Sequence, residues 1–220
     1  MSERWATFDC YGTLVDWTGG IRSTLSRLWP KADPSRLLDL YMQIEPTVQE
    51  QRAISYREVM TETQGSIAVT EGLPLYRTDR EALAESLPAW PVFPEVPASL
   101  ERLREHGWKL AILSNTDPEL LDASIAAIGV PIDARVTAAE AGSYKPARGH
   151  WDVFFEHTRA PRERHVHVAA SLFHDIGPAA ELGLRAVWIN RLAETSELPR
   201  AAELPDLSGL AACLDGLIPG

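Results

Sequence analysis

The sequence predicts an α/β fold in which a doubly wound parallel sheet is interrupted by a helical insertion. Three observations carry this. From about residue 97 onward, strand-length apolar runs alternate with helix-length stretches, the pattern of repeated βαβ units. The segment between about residues 21 and 87 has helical spacing and no strand-like run. The chain has 220 residues, enough for one large domain or for a core with a smaller insert.

The elements follow in order. Residues 5–8 form a short apolar run that ends at Asp9-Cys10-Tyr11-Gly12, a buried strand feeding a glycine-containing turn. Leu25, Leu28, Leu37, Leu38 and Tyr41 then recur at helical spacing, and Pro30, Pro34, Pro46 and Pro74 are expected to cut this region into pieces. The proline-rich stretch 90–94 suits a hinge. Residues 97–106 read as a helix stopped by Gly107, and 109–113 as a strand ending in Ser114-Asn115. Asp117-Pro118-Glu119 opens a helix closed by Gly129, with Asp117 as its capping residue. Residues 135–137 form a strand, 147–157 a helix, and 165–170 an alternating strand leading into Ser171. A short helix over 178–182 and a strand over 186–189 complete the pattern. The expected division is an α/β core of residues 1–15 and 93–220, with a helical cap of residues 16–92.

Composition narrows the function. There are 21 Lys and Arg against 31 Asp and Glu, a formal charge of −10, which disfavours nucleic acid and anionic membrane surfaces as partners. Cys10 and Cys213 lie at opposite ends of the chain, so neither a disulfide framework nor a zinc site is expected. No stretch approaches a membrane span, and the start MSERWATFDCYGTL lacks the pattern of a signal peptide, so a cytoplasmic location is the expectation.

In open parallel sheets, ligands sit beyond the carboxyl ends of the strands. That rule selects Asp9, Tyr11, Ser114, Asn115 and the stretch from Ser171 to Asp175, joined by Lys145 from the loop after the third strand. A carboxylate at the end of a buried strand serves as nucleophile, metal ligand or cap. A nearby lysine would keep it ionised, and Gly12 and Thr13 allow a tight turn that offers N–H groups to an anion. Ser114 and Asn115 are donors for a carboxylate or phosphate oxygen. Asp175 is a candidate to hold Lys145 or a serine hydroxyl, or to cap the helix that follows. The set suits covalent catalysis by a carboxylate. By strand alternation Cys10 points away from Asp9 and Tyr11 lies on the same side. Trp17 is expected at the pocket mouth and His174 at its rim.

Four motifs in order resemble those of the haloacid dehalogenase superfamily: Phe8-Asp9-Cys10-Tyr11-Gly12-Thr13-Leu14, Leu113-Ser114-Asn115, Tyr144-Lys145-Pro146, and Ser171-Leu172-Phe173-His174-Asp175. Val187-Trp188-Ile189-Asn190-Arg191 resembles the strand that follows in that family. The resemblance implies a doubly wound core with a helical cap inserted soon after the first motif. Tyr11 stands where the superfamily's phosphatases carry a second aspartate, and Ser171 where they carry an additional acid. Both departures point to the (S)-2-haloacid dehalogenase branch, which uses neither metal nor other cofactor.

That branch implies attack by Asp9 on the halogen-bearing carbon of a short 2-haloalkanoate, an ester on Asp9, and hydrolysis to a 2-hydroxy acid. Lys145, Asp175 and Ser171 are the further catalytic candidates. Ser114, Asn115 and backbone N–H groups near Tyr11 are expected to hold the substrate carboxylate, and Thr13 to hydrogen-bond Asp9. Family members carry a halide-binding arginine early in the cap. Here the stretch reads Tyr41-Met42-Gln43-Ile44, which leaves Arg52, or Arg57, to take its place. Leu172 and Trp151 also depart from the usual asparagine and tyrosine. A phosphatase with altered metal ligands and a non-catalytic carboxylate binder are the competing readings. The family's dimers leave a homodimer open.

Overall fold

The computed structural model describes residues 3–51 and 55–220, with the side chains of Glu50 and Gln51 excepted. Six parallel strands form one sheet: β1 (Arg4–Phe8), β2 (Trp108–Ser114), β3 (Ala134–Thr137), β4 (His165–Ala169), β5 (Arg185–Ile189) and β6 (Ala202–Leu204). Their spatial order is β3-β2-β1-β4-β5-β6. The chain therefore winds outward from β1 in one direction and then restarts beside it in the other. The reversal opens a crevice between the carboxyl ends of β1 and β4, where doubly wound sheets bind ligands.

Strand alternation sorts the core onto two faces. Ala6 and Phe8 of β1, Leu110 and Ile112 of β2, and Val166 and Val168 of β4 join one apolar cluster. Trp5, Ala111, Leu113, Ala169 and Trp188 join the other, with Trp151 and Phe154 of α8 (Gly149–Thr158). Cys10 is buried in the first cluster, away from the side of Asp9, in keeping with the alternation.

Helices α1 (Trp17–Leu28), α2 (Pro34–Gln51), α3 (Tyr56–Glu71) and α4 (Ala82–Ser86) follow β1, with no strand between them among the described residues. Where the chain leaves and returns, Val15 bridges Val92, Asp16 N–H donates to Pro91 C=O at 2.8 Å, and Phe93 N–H donates to Leu14 C=O at 3.0 Å. The proline-rich hinge is thus one side of a short paired stem. Gly20 faces the Trp90 ring so closely that a Cβ would lie 2.4 Å from it, so the first cap helix packs against the returning chain only with glycine there. Pro46 does not break the helix as expected. It lies inside α2, whose packing carries the helix through it.

In the core, α5 (Val96–Glu105), α6 (Pro118–Ile128), α7 (Ala138–Ala141), α9 (Gly177–Glu181) and α10 (Leu210–Leu217) cover the sheet, together with α8. The helix expected over 147–157 begins two residues later. A π-helical turn over Leu172–Ile176 precedes α9. Asp117 holds the cap position of α6, but its carboxylate does not bond that helix. It accepts the N–H groups of Tyr56 and Arg57, each at 2.9 Å, and so ties the start of α3 to the core.

Candidate active site

The crevice holds a linear arrangement of charge. The Lys145 ammonium donates to Asp9 Oδ1 at 2.9 Å, to Asp175 Oδ1 at 2.7 Å and to the Leu113 carbonyl at 2.9 Å. Lys145 is 1% exposed, Asp175 0% and Asp9 8%. Burial works against the ammonium, but Asp175 and Asp9 outweigh it and hold its pKa above the ordinary lysine value. Burial would likewise raise the pKa of Asp175, yet Lys145 and a hydrogen bond from His167 hold that carboxyl well below the usual range. The cluster is thus an ammonium held between the side chains of Asp9 and Asp175.

Each member is set by local structure. Asp9 follows β1 and donates its N–H to Val168 C=O of β4, which fixes it at the switch point. Gly12 adopts φ +90°, the left-handed conformation that closes the turn after it. Thr13 donates to Asp9 Oδ2 at 2.8 Å and accepts Ala170 N–H at 2.9 Å, linking the ends of β1 and β4. The Gly12 and Leu14 N–H groups bond Val15 C=O and Cys10 C=O, so they serve the turn itself.

At the end of β2, Ser114 is 1% exposed, and its hydroxyl has no hydrogen-bond partner among the described residues. A buried, unpaired hydroxyl beside a charged cluster is a ready donor for a ligand oxygen. Asn115 acts differently from the expectation. Its side-chain carbonyl accepts Lys145 N–H at 2.6 Å and its amide donates to Lys145 C=O at 3.0 Å, so it clamps the lysine backbone in place. His150 approaches the Ser114 carbonyl at 3.1 Å, and burial together with Lys145 lowers its pKa to about 4, leaving the ring neutral.

Beyond β4, Ser171 caps the π-helical turn by accepting His174 N–H at 3.0 Å, and its hydroxyl meets His174 Nδ1 at 3.1 Å. It therefore shapes the turn and does not touch Lys145 or Asp9. Of the roles open to Asp175, the structure bears out the one that holds Lys145: its Oδ1 bonds Lys145 and His167, not the start of the helix that follows.

These residues border a cavity of about 760 Å³ lined from both parts of the chain. Tyr11 lines it and holds Ser124 at 3.0 Å, with its ring edge-on to Trp90 at 6.0 Å. Trp17 lines the cap side and donates to the Tyr56 hydroxyl at 3.2 Å. Arg52 falls outside the described residues. Arg57 faces Glu81 at 3.7 Å and is not part of the cavity wall. Among the described residues the arginines that do line it are Arg22 and Arg191, of which Arg191 is held by Glu95 at 2.6 Å and lies over Phe93. Glu45, 6% exposed in the cavity wall, has its pKa pushed up to about 7 by burial, against hydrogen bonds from Gln49 and Tyr56.

Fold and site together define an α/β protein whose chemistry centres on a buried carboxylate paired with lysine at the switch point of a doubly wound sheet. The chain belongs to the haloacid dehalogenase-like hydrolases, whose family model matches residues 4–183. It is 28% identical over 200 residues to the (S)-2-haloacid dehalogenase of Pseudomonas sp. (strain YL), covering 86% of this chain and 84% of that one. It is 26% identical over 203 residues to the (S)-2-haloacid dehalogenase 4A of Burkholderia cepacia, covering 89% and 87%. The fold matches an L-2-haloacid dehalogenase from Xanthobacter autotrophicus solved with chloropropionic acid covalently bound, at TM-score 0.86 and 19% identity, over 97% of this chain and 99% of that one. No helix among the described residues is long and apolar enough to cross a membrane.

Proposed function

We propose that this hydrolase removes halide from 2-halo carboxylates through an ester on Asp9, without a metal ion. The observation that carries the reading is the placement of Lys145 between Asp9 and Asp175, 2.9 and 2.7 Å away. The ammonium pairs directly with one oxygen of Asp9, the nucleophile of the proposed reaction. One Asp9 oxygen attacks the carbon bearing the halogen, and the carbon–halogen electron pair leaves with the halide. The Ser114 hydroxyl, buried and unpaired, supplies a donor to the substrate carboxylate. Water then adds to the Asp9 carbonyl carbon, and the bond to the substrate oxygen breaks. Thr13 and Lys145 steady the charge that develops on Asp9 during this step. The relatives named above lend the substrate class.

The test is halide release from chloroacetate and 2-chloropropionate, with EDTA and with magnesium. Release unaffected by EDTA is the expected result. Asp9→Asn should lose turnover at every pH. Single turnover in ¹⁸O-water should place the label in the Asp9 carboxylate and not in the product hydroxyl. Magnesium-dependent phosphate release from small phosphate esters, with no halide from any 2-halo acid, would overturn the reading.

A further inference from the structure

Behind Asp175 runs a second polar chain that the catalytic cluster does not by itself require. His167 Nε2 lies 2.9 Å from Asp175 Oδ1, and His167 Nδ1 lies 2.8 Å from Thr7 Oγ1. The same Thr7 oxygen lies 2.8 Å from His165 Nε2. Thr7, His165 and His167 are all 0% exposed. The sheet builds this chain, because β1 and β4 pair with Thr7 opposite His167, and residues two apart on β4 share a face. Trp151 meets the His167 ring edge-on at 5.3 Å, and Phe154 and Phe155 flank His165 at 5.4 and 5.0 Å, so packing fixes both rings.

The hydrogen bonds have a direction. An ionised Asp175 accepts, so His167 carries its proton on Nε2. In a neutral ring Nδ1 is then an acceptor, and Thr7 must donate to it. Thr7 Oγ1 in turn accepts from His165 Nε2–H. This leaves His165 Nδ1 as a bare acceptor, and that atom is buried without a partner among the described residues. The reverse arrangement makes His167 a cation and puts an unpaired N–H on His165 Nδ1 in an apolar site, the costlier choice. Burial, reinforced by His167, also holds the pKa of His165 well below the ordinary value. Every proton in the chain thus points towards Asp175.

The consequence falls on the two oxygens of Asp175. Oδ1 is pinned by Lys145 and His167, whereas Oδ2 is buried and has no partner among the described residues, in a residue that lines the cavity. We propose that His167, backed by Thr7 and His165, is a positioning residue for the hydrolytic half of the reaction, fixing Asp175 so that its second oxygen receives a proton from the attacking water. The inference rests on the dehalogenase reading given above. In that step the water oxygen bonds to the carbonyl carbon of the Asp9 ester, and one water proton passes to Asp175. The bond from that carbon to the substrate oxygen breaks, and the proton moves on to the departing oxygen to give the 2-hydroxy acid. Asp9 is left as a carboxyl group that releases its remaining proton to solvent.

A positioning role for water attack separates the two half-reactions, whereas a merely structural role does not. With 2-chloropropionate, the burst of halide reports ester formation and the steady state reports ester hydrolysis. In His167→Leu the burst should hold within about threefold, while steady-state turnover falls by roughly 10- to 100-fold, the range for losing a buried orienting partner. Intact mass should show the ester accumulating. His167→Gln, which restores an N–H towards Asp175, should recover most of the steady-state rate. Thr7→Val keeps the side-chain shape and breaks only the outer part of the chain, so it tests the idea even if His167→Leu folds poorly. It should slow hydrolysis with its burst little changed, although the His165 N–H and His167 Nδ1 left unpaired lower its melting temperature. If both half-reactions fall together in the folded variants, or the steady state is unchanged, the positioning role is wrong. No halide from the wild-type chain with any 2-halo acid overturns the dehalogenase reading, and the proposal with it.

Discussion

Replacing Lys145 by Met keeps most of the side-chain volume and removes one charge. Two buried carboxylates then face each other across the space that the ammonium held, at 2.9 and 2.7 Å on either side. Breaking a buried pair in this way costs about 3–5 kcal/mol, because charge is left without compensation. For a chain of this size each kcal/mol moves the melting temperature by about 2–4 °C, so the loss should be roughly 6–20 °C near neutral pH. The deficit should itself depend on pH. In the wild type, the carboxyl of Asp175 is held low, so its contribution is present above the unfolded value and lost as pH falls through the folded one. In the variant the cheapest relief is to bind a proton between the carboxylates, which raises the folded pKa above the unfolded one. The variant is then favoured at low pH and disfavoured as pH rises, so the gap between the two proteins widens from pH 5 to pH 8. Urea denaturation at both pH values measures it. A loss under about 1 kcal/mol that is equal at pH 5 and pH 8 would refute the bracketed-lysine picture.

Two further predictions concern the cap. Glu45 has its folded pKa raised from 4.5 to about 7 by burial, so its stability cost grows as pH rises between those values. Glu45→Gln should therefore gain stability relative to wild type on going from pH 5 to pH 8, by about 2–3 kcal/mol, read by denaturant midpoints; a difference flat with pH would argue against a buried titrating carboxyl. Asp117→Ala removes the acceptor for two N–H groups at the start of α3 and should destabilise the protein by about 1.5–3 kcal/mol. Trp17 and Tyr56 share a hydrogen bond on this side of the cavity, so tryptophan fluorescence should report the same loosening.

What the sequence disclosed and what it withheld divide along a physical line. The strands that build the crevice were legible because residues 5–8, 109–113 and 186–189 are apolar runs bounded by turn residues. Asp9, Lys145 and Asp175 were legible because each ends or follows such a run. β6 was not, since Ala202–Leu204 is an edge strand with an exposed glutamate at its centre and gives no apolar run. The true partner of Asp117 is hidden in the sequence because capping chemistry reads the same whichever helix the carboxylate serves; only the fold, which brings the start of α3 to Asp117, decides it. Asn115 and Ser171 stand out as site residues from their place at strand ends. Ser171 instead bonds the backbone of its own turn, as short polar side chains commonly do, and Asn115 bonds the Lys145 backbone, a partner that only the folded chain brings to it. His167 was visible only as an alternating strand residue. Its meaning needs the register that sets it opposite Thr7, and no spacing within β4 contains that.

The net charge of −10 makes recruitment of an anion the harder part of the proposed reaction, and the structure moves the solution away from Lys145. Asp9 and Asp175 outnumber that ammonium, so the catalytic cluster presents one excess negative charge to an arriving carboxylate. Arg191 is neutralised by Glu95. Arg22, exposed on α1 and lining the same cavity, makes no ion pair among the described residues. A unit charge on the order of 8 Å from a substrate anion contributes about 0.5 kcal/mol in water-like surroundings and about 2 kcal/mol where the dielectric is nearer 20. Arg22→Gln should thus raise KM by roughly 2- to 30-fold with kcat unchanged. Because the Debye length shrinks to about 8 Å at physiological ionic strength and further at higher salt, the difference should narrow between 20 mM and 500 mM salt. An unchanged KM at low salt would place the recruiting field elsewhere and leave neutral donors such as the Ser114 hydroxyl to hold the substrate carboxylate unaided.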